Sequence, residues 1–171
     1  ASPDAVSRGM ARTRPMSSRR RVRIVAPSSP FDPEKLAAGV ERLKGAGFTV
    51  DTEDVHRPGH PFLNGTDDER RRELVSALED PSVDIVWLAR GGYGLTRFVH
   101  RVRFPTQCPI VVGFSDATAL LGPAFNSGCT AVHGPLATTL ADEPEESFEH
   151  LMAILERRAR GRTLDGLSPI A

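Results

Sequence analysis

The chain has 171 residues, of which 39% are hydrophobic and 26% charged, as is ordinary for a globular protein that buries its own core. Its formal net charge is zero and no apolar run approaches membrane-spanning length, so we expect a soluble protein. The length favours one main domain.

The positive charge is concentrated at the amino terminus. Residues 1–23 hold seven arginines and one aspartate, which leaves 15 basic and 21 acidic residues for the rest of the chain. This segment lacks aromatic residues and periodicity, which favours a disordered extension over a nucleic-acid-binding arm. We therefore predict a basic extension over residues 1–21, and we expect neither a nucleic acid nor a membrane as partner.

Short apolar strands alternate with helical segments along the chain. A proline at the first helical position after Asp32 and a capping box at Thr66 and Glu69 mark two helix starts. Strands are predicted at 22–26, 48–50, 83–89, 109–114 and 129–132, and helices at 33–45, 66–80, 95–101, 118–125 and 145–160. Five strands at this spacing predict a mainly parallel five-stranded α/β sheet with helices on both faces.

Ligands of such sheets bind beyond the carboxyl ends of the strands. The loops at that edge are 27–30, 55–65, 90–94, 113–116 and 133–135, and every chemically suggestive residue falls within them. His56 and His60 lie in the second loop, but Pro58 and Gly59 exclude a shared helix face, so a metal site is disfavoured there. We expect no metal and no cofactor.

Ser115 stands where a strand-type run turns abruptly into a helix-type run. Gly113 and Ala117 flank it, and a bulky side chain at either position would collide with the opposite arm of the turn. The pattern predicts a nucleophile elbow beside a helix N-terminus, whose free N–H groups suit an oxyanion. The alternative interpretation is that Ser115 and Asp116 merely cap the helix, and these residues alone do not decide between the two.

Two neighbouring loops supply further candidates. The glycine-rich loop 90–94 matches no nucleotide fingerprint, and it either offers backbone N–H groups to an oxyanion or forms a tight turn only. Arg90 would pair with a substrate carboxylate or with a neighbouring acid. His133, at a strand end, is a candidate base, but a structural histidine is favoured because no acid is placed to orient it.

The two cysteines, Cys108 and Cys129, fit no metal-binding spacing. Each stands at or just before the start of a strand, and we predict two reduced, partly buried thiols. Cytoplasmic residence is the default expectation.

Three motifs together resemble the N-terminal domain of the LD-carboxypeptidases, the serine peptidase family of muramoyltetrapeptide carboxypeptidases and microcin C immunity peptidases. They occur in the order Arg90-Gly-Gly-Tyr-Gly94, Gly113-Phe-Ser-Asp-Ala-Thr118 and His133-Gly-Pro135. The resemblance spans roughly residues 22–165. It implies a flavodoxin- or Rossmann-like domain over 22–160, with 161–171 beginning a linker to a C-terminal domain that this chain does not contain.

The resemblance also implies roles for individual residues. Ser115 would be the nucleophile, and the backbone amides of Asp116 and Gly92 would form the oxyanion hole. Candidates for binding the substrate are Arg90, Tyr93 and His133. The implied reaction is hydrolysis of the L,D peptide bond of a murein tetrapeptide, with release of D-alanine during cell-wall recycling.

The family's triad is Ser–Glu–His, with Glu and His in the C-terminal domain, so we expect this chain to be inactive alone. One alternative is a microcin C immunity-type peptidase, and another is a non-catalytic half that binds peptide without turnover. A phosphate- or nucleotide-binding protein is disfavoured because no loop has the fingerprint. An isolated half would expose an apolar face, so we expect a homo-oligomer.

Overall fold

A computed structural model describes residues 20–53, 55–57 and 60–156. The first strand begins at Arg21, the last residue of the predicted extension. The rest of that extension, apart from Arg20, and the predicted linker over 161–171 lie outside the described residues.

Five strands form one sheet, and every neighbouring pair in it is parallel. The strands are β1 (Arg21–Val25), β2 (Thr49–Asp51), β3 (Ile85–Leu88), β4 (Ile110–Gly113) and β5 (Ala131–His133). Their order across the sheet is β2-β1-β3-β4-β5. The predicted parallel α/β sheet is confirmed, and each strand overlaps its predicted range.

Four α-helices connect or follow the strands: α1 (Pro33–Gly45), α2 (Asp67–Glu79), α3 (Thr118–Asn126) and α4 (Glu145–Leu155). The start signals predicted for α1 and α2 are confirmed. The Asp32 side chain accepts the Glu34 N–H at 2.9 Å, and Thr66 and Glu69 form the reciprocal capping box. None of the helices within the described ranges is long and apolar enough to cross a membrane.

The predicted helix over 95–101 is wrong in type. The chain forms two separate 3-10 turns there, Leu95–Arg97 and Val99–Arg101, which meet at Phe98. Phe98 has a φ of −139° and a ψ of −6°, outside the helical region, and this backbone separates the two turns while its side chain is fully buried. A further 3-10 segment, Ala137–Asp142, follows β5 and was not predicted.

Helices cover both faces of the sheet, as predicted. One face packs against α1 and α4, with Leu36, Val40, Leu43, Phe148 and Leu151 in its core. The other packs against α2, α3 and the 3-10 turns, with Leu74, Leu78, Leu95, Phe98 and Leu120. The central strands β3 and β4 are wholly apolar because both of their faces are buried.

The strand order reverses at β1, which has β2 on one side and β3 on the other. In a doubly wound sheet this reversal opens a crevice at the carboxyl ends of the two diverging strands. The loops that follow β1 and β3 therefore border the crevice, and the loop after β4 lies next to them.

Cys108 and Cys129 are joined in a disulfide, so the prediction of two reduced thiols is wrong. Each cysteine lies two residues before the start of its strand, and β4 and β5 are adjacent and parallel. That register brings the two Cα atoms to 5.3 Å, a separation that depends on strand order, which sequence spacing does not reveal.

Candidate active site

Ser115 adopts a backbone conformation that L-residues rarely occupy. Its φ is +64°, and it is the single non-glycine residue with a positive φ among those the structure describes. It comes two residues after the end of β4 and is the first residue of a 3-10 turn, Ser115–Ala117, that leads directly into α3. A left-handed residue costs roughly 1–2 kcal/mol, and such strain is concentrated at functional sites.

Small residues around Ser115 allow this turn. A Cβ on Gly113 would come within 2.9 Å of the Ala117 Cβ and within 3.2 Å of the Leu88 Cβ. Both arms of the turn thus approach too closely for a side chain at position 113. The observed backbone therefore has the close approach that the small flanking residues predicted for an elbow.

The helix-capping interpretation has no support in the geometry. Neither the 3-10 turn nor α3 has a side-chain cap hydrogen bond. Ser115 is exposed, and its hydroxyl has no hydrogen-bond partner among the described residues. The hydroxyl at the tip of the turn is therefore free to meet a ligand.

Gly91, in the loop after β3, lies directly against Ser115. A Cβ at position 91 would lie 2.7 Å from the Ser115 Cβ and 2.8 Å from its Oγ. Gly91 is buried and its φ is not positive, so the close approach alone requires glycine here. Sequence reasoning singled out Gly92 in this loop and missed Gly91.

Two backbone N–H groups beside Ser115 remain available. The first hydrogen bond of the 3-10 turn runs from the Ala117 N–H to the Phe114 carbonyl at 3.3 Å, and the preceding N–H, that of Asp116, has no partner among the described residues. Gly92 follows Gly91 with a φ of +101°, and its N–H makes no hydrogen bond within the described part of the chain.

The Asp116 carboxylate joins three loops, a role that sequence reasoning missed. Its Oδ2 accepts hydrogen bonds from the Ser28 hydroxyl at 2.7 Å and from the Leu95 N–H at 2.8 Å. Ser28 follows β1, Leu95 follows the glycine-rich loop, and Asp116 itself follows β4. One side chain therefore connects the turns at the ends of three strands.

Ser29 connects the same first two loops. Its N–H donates to the Gly91 carbonyl at 3.3 Å, and its hydroxyl accepts the Tyr93 N–H at 3.1 Å. A Cβ on Gly92 would overlap the Ser29 hydroxyl, so this contact leaves no room for a side chain. The loop after β1 thus holds the glycine-rich loop along its length.

A fully buried arginine on α2 lies beneath these loops. Arg70 donates to the backbone carbonyls of Pro27 and Gly65 and forms an ion pair with Asp67. Burial lowers the pKa of Arg70, and Asp67 partly offsets this. A Cβ on Gly94 would clash with the guanidinium, so the glycine-rich loop rests directly on it.

Glu73 lies one turn further along α2 and is also buried. Its carboxylate accepts the Ala26 N–H at 3.3 Å and pairs with the Arg57 guanidinium at 3.1 Å. Burial raises the pKa of Glu73 to about 7, and the Arg57 charge opposes this shift. Both Arg70 and Glu73 lie at helical spacing with the apolar stripe of α2, a signal from which their burial could have been inferred.

The three predicted substrate-binding candidates lie on neighbouring loops at this edge. Arg90 is exposed and donates to the Pro30 carbonyl, and it forms no ion pair with a neighbouring acid among the described residues. Tyr93 is 53% exposed. His133 packs its ring against that of Phe114 with centroids 6.2 Å apart, and its nitrogens have no hydrogen bond among the described residues.

The two histidines of the loop after β2 have other contacts. His56 packs edge-on against Phe31, with ring centroids 5.5 Å apart. The His60 Nδ1 accepts the N–H groups of Phe62 and Leu63 at 3.1 and 3.0 Å, so this nitrogen is already engaged by the backbone. Over the part of the chain that the structure describes, no three His, Cys, Asp or Glu side chains could hold a metal ion.

Comparison with known proteins defines the class. Residues 22–134 match the model of the LD-carboxypeptidase N-terminal domain, and the chain therefore belongs to the LD-carboxypeptidase family. The murein tetrapeptide carboxypeptidase of Pseudomonas aeruginosa is 30% identical over 143 residues, which are 78% of this chain and 46% of that protein. This chain spans about half the length of the curated relatives it matches.

Solved structures agree with the sequence comparison. The crystal structure of muramoyltetrapeptide carboxypeptidase from Oxalobacter formigenes has a TM-score of 0.70 and 26% identity, covering 78% of this chain and 47% of that one. The microcin C7 self-immunity protein MccF has a TM-score of 0.71 but 21% identity, covering 84% of this chain and 45% of its own. The second similarity shows the fold alone.

Proposed function

We propose that this chain is the nucleophile-bearing half of a serine carboxypeptidase that hydrolyses the L,D peptide bond of a murein tetrapeptide and releases D-alanine. The observation that supports this most strongly is the exposed, unpartnered hydroxyl of Ser115 on a strained elbow. The Pseudomonas aeruginosa relative, which is named a murein tetrapeptide carboxypeptidase, supports the choice of substrate.

The proposed reaction begins when the Ser115 Oγ attacks the carbonyl carbon of the L,D bond. The amides of Asp116 and Gly92 stabilise the negative charge that develops on the carbonyl oxygen. The C–N bond then breaks, the amine of D-alanine leaves with a proton, and the rest of the peptide stays as an ester on Ser115. Water hydrolyses this ester and restores the hydroxyl.

A base must remove the proton from Ser115, and we assign that role to the second half of the protein. Within the described residues His133 has no carboxylate to orient it, and Ser115 has no hydrogen-bonded base. The family resemblance implies a Glu and a His from a C-terminal domain. Arg90, Tyr93 and His133 then border the substrate, and Arg90 can exchange its Pro30 contact for a substrate carboxylate.

The proposal includes cytoplasmic hydrolysis of recycled murein peptides and association of this chain with a second half or a second copy. The Cys108–Cys129 disulfide argues against the location, because disulfides are rare in reducing compartments. Counting the free thiols of these two cysteines in the cell tests the location separately from the chemistry.

The test is D-alanine release from a murein tetrapeptide. The chain is assayed alone and joined to a C-terminal half, either its own continuation in the gene or that of the Pseudomonas aeruginosa relative. We expect release from the joined protein only, and its loss in Ser115→Ala. Ser127→Ala, at the exposed far end of α3, is the matched control and should keep full activity.

Binding of the tetrapeptide without any D-alanine release, unchanged by Ser115→Ala, would instead indicate a non-catalytic peptide-binding half. Release by the chain alone would show that a base lies within these 171 residues, and His133→Ala would then be the next variant to assay.

A further inference from the structure

The acid next to the candidate nucleophile is placed where an acid is electrostatically unfavourable. Asp116 follows Ser115 directly, and a carboxylate this close to a developing oxyanion repels it. The carboxylate is instead hydrogen-bonded by the protein: its Oδ2 accepts the Ser28 hydroxyl at 2.7 Å and the Leu95 N–H at 2.8 Å. One carboxylate oxygen thus accepts two hydrogen bonds that connect the loops after β1 and β3, which points to a role in holding these loops together.

The partners of Asp116 are themselves rigidly held. Ser28 is fully buried, and its carbonyl accepts the Asn64 N–H at 3.0 Å. Pro27, the residue before it, accepts a hydrogen bond from the buried Arg70, whose positive charge is favoured by Asp116 among others. The Ser28 hydroxyl therefore donates from a fixed position to the carboxylate.

The same contacts fix the glycine-rich loop at several points. Asp116 binds the Leu95 N–H at its end, and Ser29 binds the Gly91 carbonyl and the Tyr93 N–H on either side of Gly92. We call Ser28, Ser29 and Asp116 the loop clamp. Because Gly92 lies between these hydrogen bonds, the loop clamp determines where its N–H points relative to the Asp116 N–H.

We infer that the Asp116 carboxylate and the Ser28 hydroxyl are positioning residues that set the separation of the two oxyanion-hole amides, those of Asp116 and Gly92. The inference rests on the proposed function and deepens it. The side chain of Asp116 acts through the loop, while its own backbone N–H meets the oxyanion. Weakening the clamp should therefore impair the transition state more than substrate binding.

Steady-state D-alanine release by the joined protein tests this. Ser28→Ala and Asp116→Ala should each lower kcat by about 10- to 100-fold with KM within about threefold, since a donor misplaced by about 1 Å costs about 100-fold. The double variant should lose less than the product of the two single losses, because both changes break one contact. Matched controls are the exposed Ser76→Ala and Asp142→Ala, which should leave kcat unchanged.

A second measurement distinguishes a positioning role of the clamp from a general loss of rigidity at the site. A phosphonate analogue of the tetrapeptide, with its tetrahedral anion at the L,D bond, should bind Ser28→Ala at least about tenfold more weakly than the wild type. The product tripeptide should bind the wild type and Ser28→Ala with equal affinity. Equal loss of affinity for both ligands, or an unchanged or higher kcat in Asp116→Ala, would overturn the inference in favour of scaffolding or charge repulsion.

Amide hydrogen exchange provides a readout that needs no activity. In Asp116→Ala the Leu95 N–H should exchange at least about tenfold faster than in the wild type, while Phe48, whose N–H bonds the Leu43 carbonyl far from the clamp, should not change. An unchanged exchange rate of the Leu95 N–H would overturn the inference that the loop clamp holds the glycine-rich loop. If the wild type releases no D-alanine, the proposed function fails, and this exchange measurement alone decides whether the clamp holds the loop.

Discussion

Gly91 and Ser115 are in closer contact than any residue with a side chain at position 91 would allow. A Cβ on Gly91 would lie 2.8 Å from the Ser115 Oγ and 3.4 Å from the Phe114 carbonyl oxygen. The loop after β3 and the elbow after β4 thus pack directly against each other beside the crevice. Because Gly91 has no side chain, the Ser115 hydroxyl and the amides of the glycine-rich loop can lie close together.

Replacing Gly91 by alanine should therefore displace Ser115. We expect Gly91→Ala to lower kcat for D-alanine release by at least about 100-fold, because a shift of about 1 Å in a reacting group costs that much. Overpacking should lower the free energy of unfolding by about 1–3 kcal/mol. Steady-state kinetics and denaturant unfolding measure the two effects.

The matched control for this change is Gly45→Ala. Gly45 ends α1 and has no positive φ, and a Cβ added to it would meet no atom within 4 Å. It should keep wild-type kcat and stability within about 1 kcal/mol. Wild-type activity in Gly91→Ala would contradict the close packing of the two loops.

Because the backbone of Ser115 is strained, we predict that replacing this serine by glycine raises stability while it abolishes activity. Ser115→Gly removes the left-handed penalty and should raise the free energy of unfolding by about 1 kcal/mol, whereas Ser115→Ala keeps the strain and should change it by less than about 0.5 kcal/mol. Both variants should lack activity. Thermal or urea unfolding distinguishes them, and equal stability of the two would show that the elbow is not strained.

Glu73 predicts a pH dependence of stability with a definite sign. Its folded pKa is raised to about 7, whereas a glutamate in an unfolded chain titrates near about 4.3. Between these values the folded protein binds the proton more tightly, so the contribution of Glu73 to stability is complete below about pH 4 and is lost as pH rises through about 7. The contribution of Glu73 to the free energy of unfolding is about 4 kcal/mol at most.

Comparison with Glu73→Gln isolates this contribution, because glutamine does not titrate. The stability of the wild type minus that of the variant should fall between about pH 4.5 and 7.5 in urea unfolding. Glu79→Gln, at the exposed last position of α2, is the control. Its stability should change with pH in parallel with that of the wild type. A Glu73→Gln curve parallel to the wild type would contradict the raised pKa.

The disulfide predicts a redox-dependent stability. It closes a loop with a sequence separation of 21 residues, and in the chain-entropy model such a bridge stabilises by about 3 kcal/mol. Reduction, or Cys129→Ser, should lower the free energy of unfolding by that amount, measured with and without dithiothreitol.

Thiol counting by mass spectrometry on alkylated, freshly lysed cells completes this test. No free thiol is expected if the bridge forms in the cell. Two free thiols would show that Cys108 and Cys129 are reduced there, as a cytoplasmic location requires.

Local rules predicted the elements well. The Asp32 and Thr66 caps, the proline after Asp32 and the small residues flanking Ser115 each specify their own neighbourhood, and the structure has all of them. The alternation of elements also predicted the parallel sheet. These features depend on residues a few positions apart, which a sequence displays directly.

The missed features all depend on contacts between distant segments. The Ser28–Asp116 bond joins residues 88 positions apart, and the disulfide depends on β4 lying beside β5. The choice of Gly91 rather than Gly92 as the neighbour of Ser115 follows from how two loops meet. Strand order was not predicted, so neither were these contacts.

The most direct test of Ser115 as the nucleophile is to trap the ester that it forms. The joined protein is mixed with murein tetrapeptide, quenched in acid within milliseconds and digested for mass spectrometry. We expect the peptide containing Ser115 to gain the mass of the tetrapeptide less D-alanine, and Ser115→Ala to gain nothing. An adduct on another residue, or D-alanine release by Ser115→Ala at the wild-type rate, would contradict this role.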